Sequence, residues 1–252
     1  LATKGAEVVL ADLQLELAQK EAEAIRSAGG KPVAALLDVT DADAVAALVN
    51  DTASRCGRLD YMFNNAGVGI GGEAKDYEID DWNSVLKVKL SGVINCVHAA
   101  YKRMVTQGYG HIVNTASLAG LIPVAVSINY ATTKHAVVGL STSLRGEAAY
   151  YGVQVSVLCP GVVRTPILTG GKFGRLPPDV TPDIAEKLFE VSFPIGPYKC
   201  ARQALRQIAR NKAIVVVASN LHVLWGLCRS FSGLGILFSK KVFESGKKKI
   251  EL

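Results

Sequence analysis

Ile112-Val-Asn-Thr-Ala-Ser117 is a mostly apolar run that ends on a serine, and thirteen residues after that serine comes Tyr130-Ala-Thr-Thr-Lys134. Residues 112–116 have the composition of a strand buried on both faces, and 130–150 carry helical periodicity. Strand, turn and helix in that order make the repeating unit of a parallel α/β sheet. On a helix, positions four apart share a face, so the Lys134 ammonium can sit near the Tyr130 phenol. A free tyrosine titrates near about 10, and a close positive charge lowers that value by favouring the phenolate. A Tyr and a Lys one turn apart are common on surfaces, so the spacing alone decides little. The strand end at Ser117 adds weight, because parallel sheets place ligands at the carboxyl ends of their strands. A serine hydroxyl there can hold a substrate oxygen as charge develops on it.

Outward from this unit the same alternation continues. Further strands are expected at 6–12, 33–38, 61–65, 154–159 and 214–218, and helices at 14–28, 42–55, 81–107 and 199–209. Thr40-x-x-Asp43 has the form of a capping box, and Gly29-Gly30 stops the first helix. The fold class expected is α/β, a Rossmann-type doubly wound parallel sheet in a single domain over 1–219. Residues 165–197 hold six of the nine prolines, so 165–198 reads as a long irregular lid over a substrate site. A basic and apolar tail follows at 220–252.

Composition narrows the class. At 252 residues the chain suits one sizeable core. Its five cysteines are odd in number and lack C-x-x-C spacing, which fits buried thiols in a reducing, cytoplasmic setting and neither a disulfide framework nor a metal site. Of the net charge of +6, four charges gather from Leu221 onward, so the body is nearly neutral and offers no basic face for nucleic acid.

Asn64-Asn65-Ala66-Gly67 follows one strand and Pro160-Gly161-Val162-Val163-Arg164-Thr165 another. Together with Ser117 and Tyr130-x-x-x-Lys134, in this order and spacing, they resemble the short-chain dehydrogenase/reductase family from Leu1 to about Ser219. The resemblance implies an oxidoreductase that passes a hydride between a nicotinamide nucleotide and an alcohol or ketone. Tyr130 would be the acid/base, Lys134 would lower its pKa and hold the nicotinamide ribose, and Ser117 would bind the reacting oxygen. Asn65, Ala66 and Gly67 would line the cofactor cleft. Val163 and Thr165 would contact the nicotinamide end, with Pro160 and Gly161 shaping the turn, and Asp38-Val39 would border the adenine. Asp12, ending its strand with no Arg or Lys directly behind it, accepts from ribose hydroxyls and repels a 2′-phosphate, which favours NAD over NADP. Apolar residues in pocket-forming segments (Leu118, Leu121, Ile122, Leu168, Phe173, Leu176, Phe189, Phe193) point to an apolar alcohol or carbonyl substrate.

Gly67-Val-Gly69-Ile-Gly71-Gly72 satisfies G-x-G-x-x-G but opens no helix directly, so it reads as a continuation of the preceding loop. Two departures from the family stand out. Lys89 takes the place of an asparagine whose backbone anchors a proton-relaying water. Either Lys89 points away and its backbone still serves, or the relay is altered. The family's first strand and glycine-rich phosphate loop would precede Leu1, and 1–5 resembles the end of the helix after that loop, so the chain reads as a fragment with its first strand absent. A catalytically weak binding or regulatory protein is the alternative to an active enzyme. The extended-branch sugar-nucleotide epimerases also carry Y-x-x-x-K, but the N-N-A-G turn favours the shorter branch. The tail admits two readings: a helix packed on the body or on a partner subunit of a homo-oligomer, or a helix lying on an anionic membrane surface.

Overall fold

The computed structural model describes residues 1–169, 172, 174–177, 180–190, 193–218 and 220–250; Phe173, part of the expected lid and the last two residues of the tail lie outside the described residues. Six strands alternate with helices, and every pairing is parallel. The chain runs β1 (Glu7–Asp12), α1 (Leu15–Ser27), β2 (Lys31–Leu36), α2 (Ala42–Cys56) and β3 (Tyr61–Asn64). It continues through α3 (Ile79–Leu86), α4 (Gly92–Gln107), β4 (Gly110–Thr115), α5 (Ile128–Ala148) and β5 (Val153–Pro160). The last elements are α6 (Pro182–Glu190), α7 (Pro197–Ile208), β6 (Ile214–Val217), α8 (Asn220–Ser230) and α9 (Ser232–Ile250).

The strands form two sheets, β1-β2 and β3-β4-β5-β6. Among the described residues β1 pairs only with β2, and β3 only with β4. The break falls where the family resemblance expects a further strand. Its effect on burial is plain: β4, paired on both sides, buries four consecutive residues, whereas β3 leaves Tyr61 and Phe63 exposed and β1 buries none fully. Helices bind the two sheets together. Val45, Val49 and Ala53 of α2 share one apolar cluster with Val93, Cys96, Val97, Ala100 and Met104 of α4, and with Ile112, Val155 and Val157 of the larger sheet. Arg55 of α2 also reaches back to the Glu7 carboxylate at the start of β1.

Three expectations need correction. Helix α2 is capped by Asp41, whose carboxylate accepts from the Asp43 and Ala44 N–H groups at 3.0 Å each, and not by a box opened at Thr40. The Thr40 N–H already donates to the Asp38 carboxylate at 2.8 Å, which turns the chain one residue later. The helix expected over 81–107 is two helices joined by a π-helical turn, Lys87–Ser91, a departure that in helices tends to mark functional positions. The irregular excursion contains helix α6: Pro182 sits at its first position, where a missing N–H costs nothing, and the Ile184 N–H donates to Thr181 Oγ1 at 3.4 Å.

His111 illustrates how β4 is locked into its neighbours. Its Nε2 lies 2.8 Å from Ser156 Oγ of β5, and that hydroxyl donates its one proton to the Lys212 carbonyl at 2.7 Å. Nε2 must therefore carry the hydrogen and donate to Ser156. Burial, followed by the nearby Arg145 charge, brings the imidazole down to about 4 from 6.5. Between those values the unfolded chain binds a proton that the folded chain does not, so stability falls as pH drops through the window. We expect the urea midpoint to decline between pH 6.5 and 4 by the equivalent of about 3 kcal/mol, and His111→Gln to flatten that decline. A pH-independent midpoint in the parent chain would contradict this.

Candidate active site

The carboxyl ends of β3, β4 and β5 converge on one region, and α5 crosses it. Asn114, fully buried near the end of β4, accepts from Asn64 Nδ2 of β3 at 2.7 Å and donates to Ser141 Oγ of α5 at 2.9 Å. Ser141 in turn donates to the Val137 carbonyl at 2.6 Å. The ends of β3 and β4 and the middle of α5 are thereby held by one buried polar chain. A second tie is steric. A Cβ at Gly120 would stand 2.5 Å from the Lys134 carbonyl oxygen, so only glycine lets the turn after Ser117 lie directly on α5.

Ser117 caps the short 3₁₀ turn Leu118–Gly120, its Oγ accepting from the Ala119 N–H at 3.2 Å and donating to the Pro160 carbonyl at 3.5 Å. Tyr130 lies in the second position-pair of α5, with its N–H donating to Asn129 Oδ1 at 2.6 Å. Burial pushes its phenol above the ordinary value, opposed by a hydrogen bond with Ser117 and reinforced by Cys159. Burial is the larger influence, so the phenol stands raised even with the Lys134 amine one turn along the same helix. The Lys134 ammonium donates to the Thr115 carbonyl of β4 at 2.6 Å, with Nζ 5.6 Å from the Tyr130 ring centre. Burial brings Lys134 itself down to about 8.

Lys89 is the residue whose placement the sequence left open, and it points inward. Only 2% exposed, it sets its Nζ 4.4 Å from the centre of the Tyr130 ring. The same nitrogen lies 2.9 Å from where a Cβ on Gly67 would stand, so a side chain at that loop position would displace the amine. Burial, and then the charge of Lys134, hold Lys89 well below the ordinary lysine value. The π-helical turn delivers it: Lys89 is the only buried member of Lys87–Ser91.

The remaining candidate residues distribute as follows. Asn65, Ala66 and Gly67 are exposed beyond β3. Val163 and Thr165 follow β5, Val163 bridged to Ile195 and Thr165 donating to the Val163 carbonyl at 3.4 Å. Gly161 follows Pro160, with Leu221 of α8 filling the space a side chain would need. Asp12 and Asp38 stand exposed at the ends of β1 and β2, in the smaller sheet, accepting from the Gln14 and Thr40 N–H groups at 2.8 Å each. Two backbone hydrogen bonds join 69–71 to Arg175, so the G-x-G-x-x-G stretch is a loop laid against the lid and not the opening of a helix. Val126 holds φ 64, costly for a β-branched residue, where its carbonyl accepts from the Gly72 N–H and from Tyr77 just before α5.

A cavity of about 540 Å³ lies under the lid, between Gly71–Gly72 and residues such as Thr169, Leu176, Pro177 and Val180; Ser117 and Tyr130 are outside its lining. Several residues expected to form an apolar pocket are elsewhere. Leu121 packs into the core, Ile122 is buried, and Phe193 is 82% exposed, whereas Leu176 does line the cavity. The sequence singles out neither Asn114, Asn129 nor Ser141, and marks Asn64 only as the start of the N-N-A-G turn. An asparagine inside an otherwise apolar strand was the available signal for two of them.

The parallel α/β layers, with helices between successive strands, are those of a Rossmann-like fold. The sequence pattern of the family described as "short chain dehydrogenase" matches residues 1–172, and the chain belongs to that family. A Mycobacterium tuberculosis protein described as "Probable oxidoreductase EphD" is 33% identical over 243 residues, which cover 90% of this chain and 39% of the relative. The chain therefore spans about 39% of the length of that relative. Cyclohexanol dehydrogenase of an Acinetobacter strain is 35% identical over 169 residues, 67% of each chain. A Burkholderia phymatum short-chain dehydrogenase/reductase solved with NAD superposes with a TM-score of 0.81 at 28% identity, covering 92% of this chain and 87% of its own.

Replacing Lys89 tests what the buried amine does. We expect Lys89→Asn to keep or raise turnover, since it removes a second amine from the Tyr130 ring and the Lys134 charge. A fall of more than about tenfold in kcat with an unchanged melting temperature would show that the amine has a role of its own.

Proposed function

We propose that the chain is the catalytic part of an NAD-dependent oxidoreductase that interconverts an apolar secondary alcohol and its ketone. The observation that carries this reading is the convergence of Ser117, Tyr130 and Lys134 beyond the end of β4: Ser117 caps the turn that leaves the strand, and the Lys134 amine, held on the Thr115 carbonyl, lies 5.6 Å from the Tyr130 ring centre. The Ser117 and Tyr130 hydroxyls would grip the substrate oxygen together. In reduction Tyr130 gives its proton to that oxygen as the carbonyl carbon is reduced; in oxidation it takes the proton back. Lys134, tied to β4 through Thr115, supplies the positive charge that favours the proton's departure from the phenol. The similarity to cyclohexanol dehydrogenase supports an alcohol substrate, and it and the intact Ser117–Tyr130–Lys134 set speak against a purely regulatory role.

The residues present fit a nicotinamide dinucleotide at both ends. The exposed Asp12 carboxylate at the end of β1 suits the adenosine ribose, with Asp38 and Val39 beside the adenine. Asn65, Ala66 and Gly67 would line the cofactor cleft, and Val163 and Thr165, on the turn shaped by Pro160 and Gly161, would contact the nicotinamide end, where Lys134 would also meet the ribose. A bound nicotinamide nucleotide supplies or accepts the hydride. Among the described residues no glycine-rich turn opens a helix to hold its pyrophosphate.

Two measurements test the proposal. Tyr130→Phe should lower kcat by about 10²–10⁴-fold while leaving the NAD dissociation constant nearly unchanged, and retention of more than a tenth of the rate would overturn the assignment. Asp12→Ala should narrow the preference for NAD over NADP, measured as the ratio of kcat/KM values, because it removes both the ribose acceptor and the repulsion of a 2′-phosphate. Equal use of both cofactors by the parent protein would refute the NAD reading.

A further inference from the structure

Helices α8 and α9 are built the wrong way round for helices that stabilise a core. The side of α9 turned to the body is made largely of small residues, Gly235, Ser239 and Gly246, with Phe243. Gly235 sits so close to Pro123 and Cys228 that a Cβ would meet them at 3.0 and 3.5 Å. The large apolar side chains are turned out: Leu234, Ile236, Leu237, Phe238 and Val242 are all exposed, Ile236 at 65%. Helix α8 continues the surface with Val223, Leu227 and, at the turn between the helices, Phe231. A surface helix normally hides its apolar stripe and shows its polar one. Large apolar side chains exposed in this number on neighbouring helices mark an interaction site.

Charge identifies the occupant. Arg229, Lys240 and Lys241 border the apolar residues and outweigh Glu244, whose carboxylate lies 3.7 Å from Lys240, and four of the chain's six net positive charges fall from Leu221 onward. A second copy docked symmetrically on this face would bring a net positive surface against its like. An anionic surface with an apolar interior matches both features at once. No helix among the described residues is long and apolar enough to cross a membrane, so the contact is interfacial and not spanning. Helix α9 is fastened to the body through Gly235 on Pro123 and through an ion pair of Lys247 with Glu73, the residue after the cavity-lining Gly72.

We propose that α8 and α9 form a docking surface for an anionic phospholipid bilayer, with the exposed apolar side chains of α9 entering the headgroup boundary and Lys240 and Lys241 meeting the lipid phosphates. Lipid binding does not depend on the reaction proposed above, so the two can fail separately. The test is co-sedimentation of the full-length protein with large vesicles of phosphatidylcholine alone or with about a third phosphatidylserine. Binding should require phosphatidylserine and weaken with salt. Lys240→Ser combined with Lys241→Ser should lower the partition coefficient by roughly tenfold or more, at about 1 kcal/mol per basic residue near the surface. Leu237→Ser combined with Phe238→Ser should lower it as well, and since all four residues are exposed, both variants should keep the parent's melting temperature. Binding to neither vesicle, or equal binding to both that the lysine variant leaves intact, would overturn the proposal. So would a self-association, seen by sedimentation without lipid, that the Leu237/Phe238 variant abolishes while vesicle binding is absent.

Discussion

Everything at the candidate site hangs on the side chain of Asn114. It is fully buried in the middle of the larger sheet, and it spends both ends of its amide on neighbours: the oxygen on Asn64 of β3, the nitrogen on Ser141 of α5. A buried amide left unpaired costs on the order of 1–3 kcal/mol, so the three elements are held in one register by the penalty for separating them. That register sets where loop 65–67 leaves β3, where Ser117 leaves β4, and which turn of α5 faces them. The close passage of Gly120 over the Lys134 carbonyl, and the Lys134 ammonium on Thr115, then fix the helix from its other side.

Much of this was legible before any coordinates. The six strands and the helices between them, α6 excepted, follow from apolar runs alternating with helical periodicity. What misled was chemistry that competes locally. Asp38 took the Thr40 N–H, so the cap moved to Asp41; Pro182 looked like a helix breaker and proved a helix opener; a continuous helical pattern over 81–107 concealed a π-helical turn that periodicity cannot register. At the site, the family pattern located Ser117, Tyr130 and Lys134. It could not say that the Lys134 ammonium would be anchored on a carbonyl, or that burial would raise the phenol, because both depend on packing across elements far apart in sequence.

Lys89 joins the two levels. In sequence it is one substitution in a helix; in the fold it is a lysine almost wholly removed from water, lodged between Tyr130 and Gly67 and crowded by the charge of Lys134. An ammonium in such a place is costly unless it is paired or gives up its proton. The neighbourhood of the proposed acid/base thus holds two amines whose protons are both loosened by burial, and the charge of Lys134 loosens that of Lys89 further.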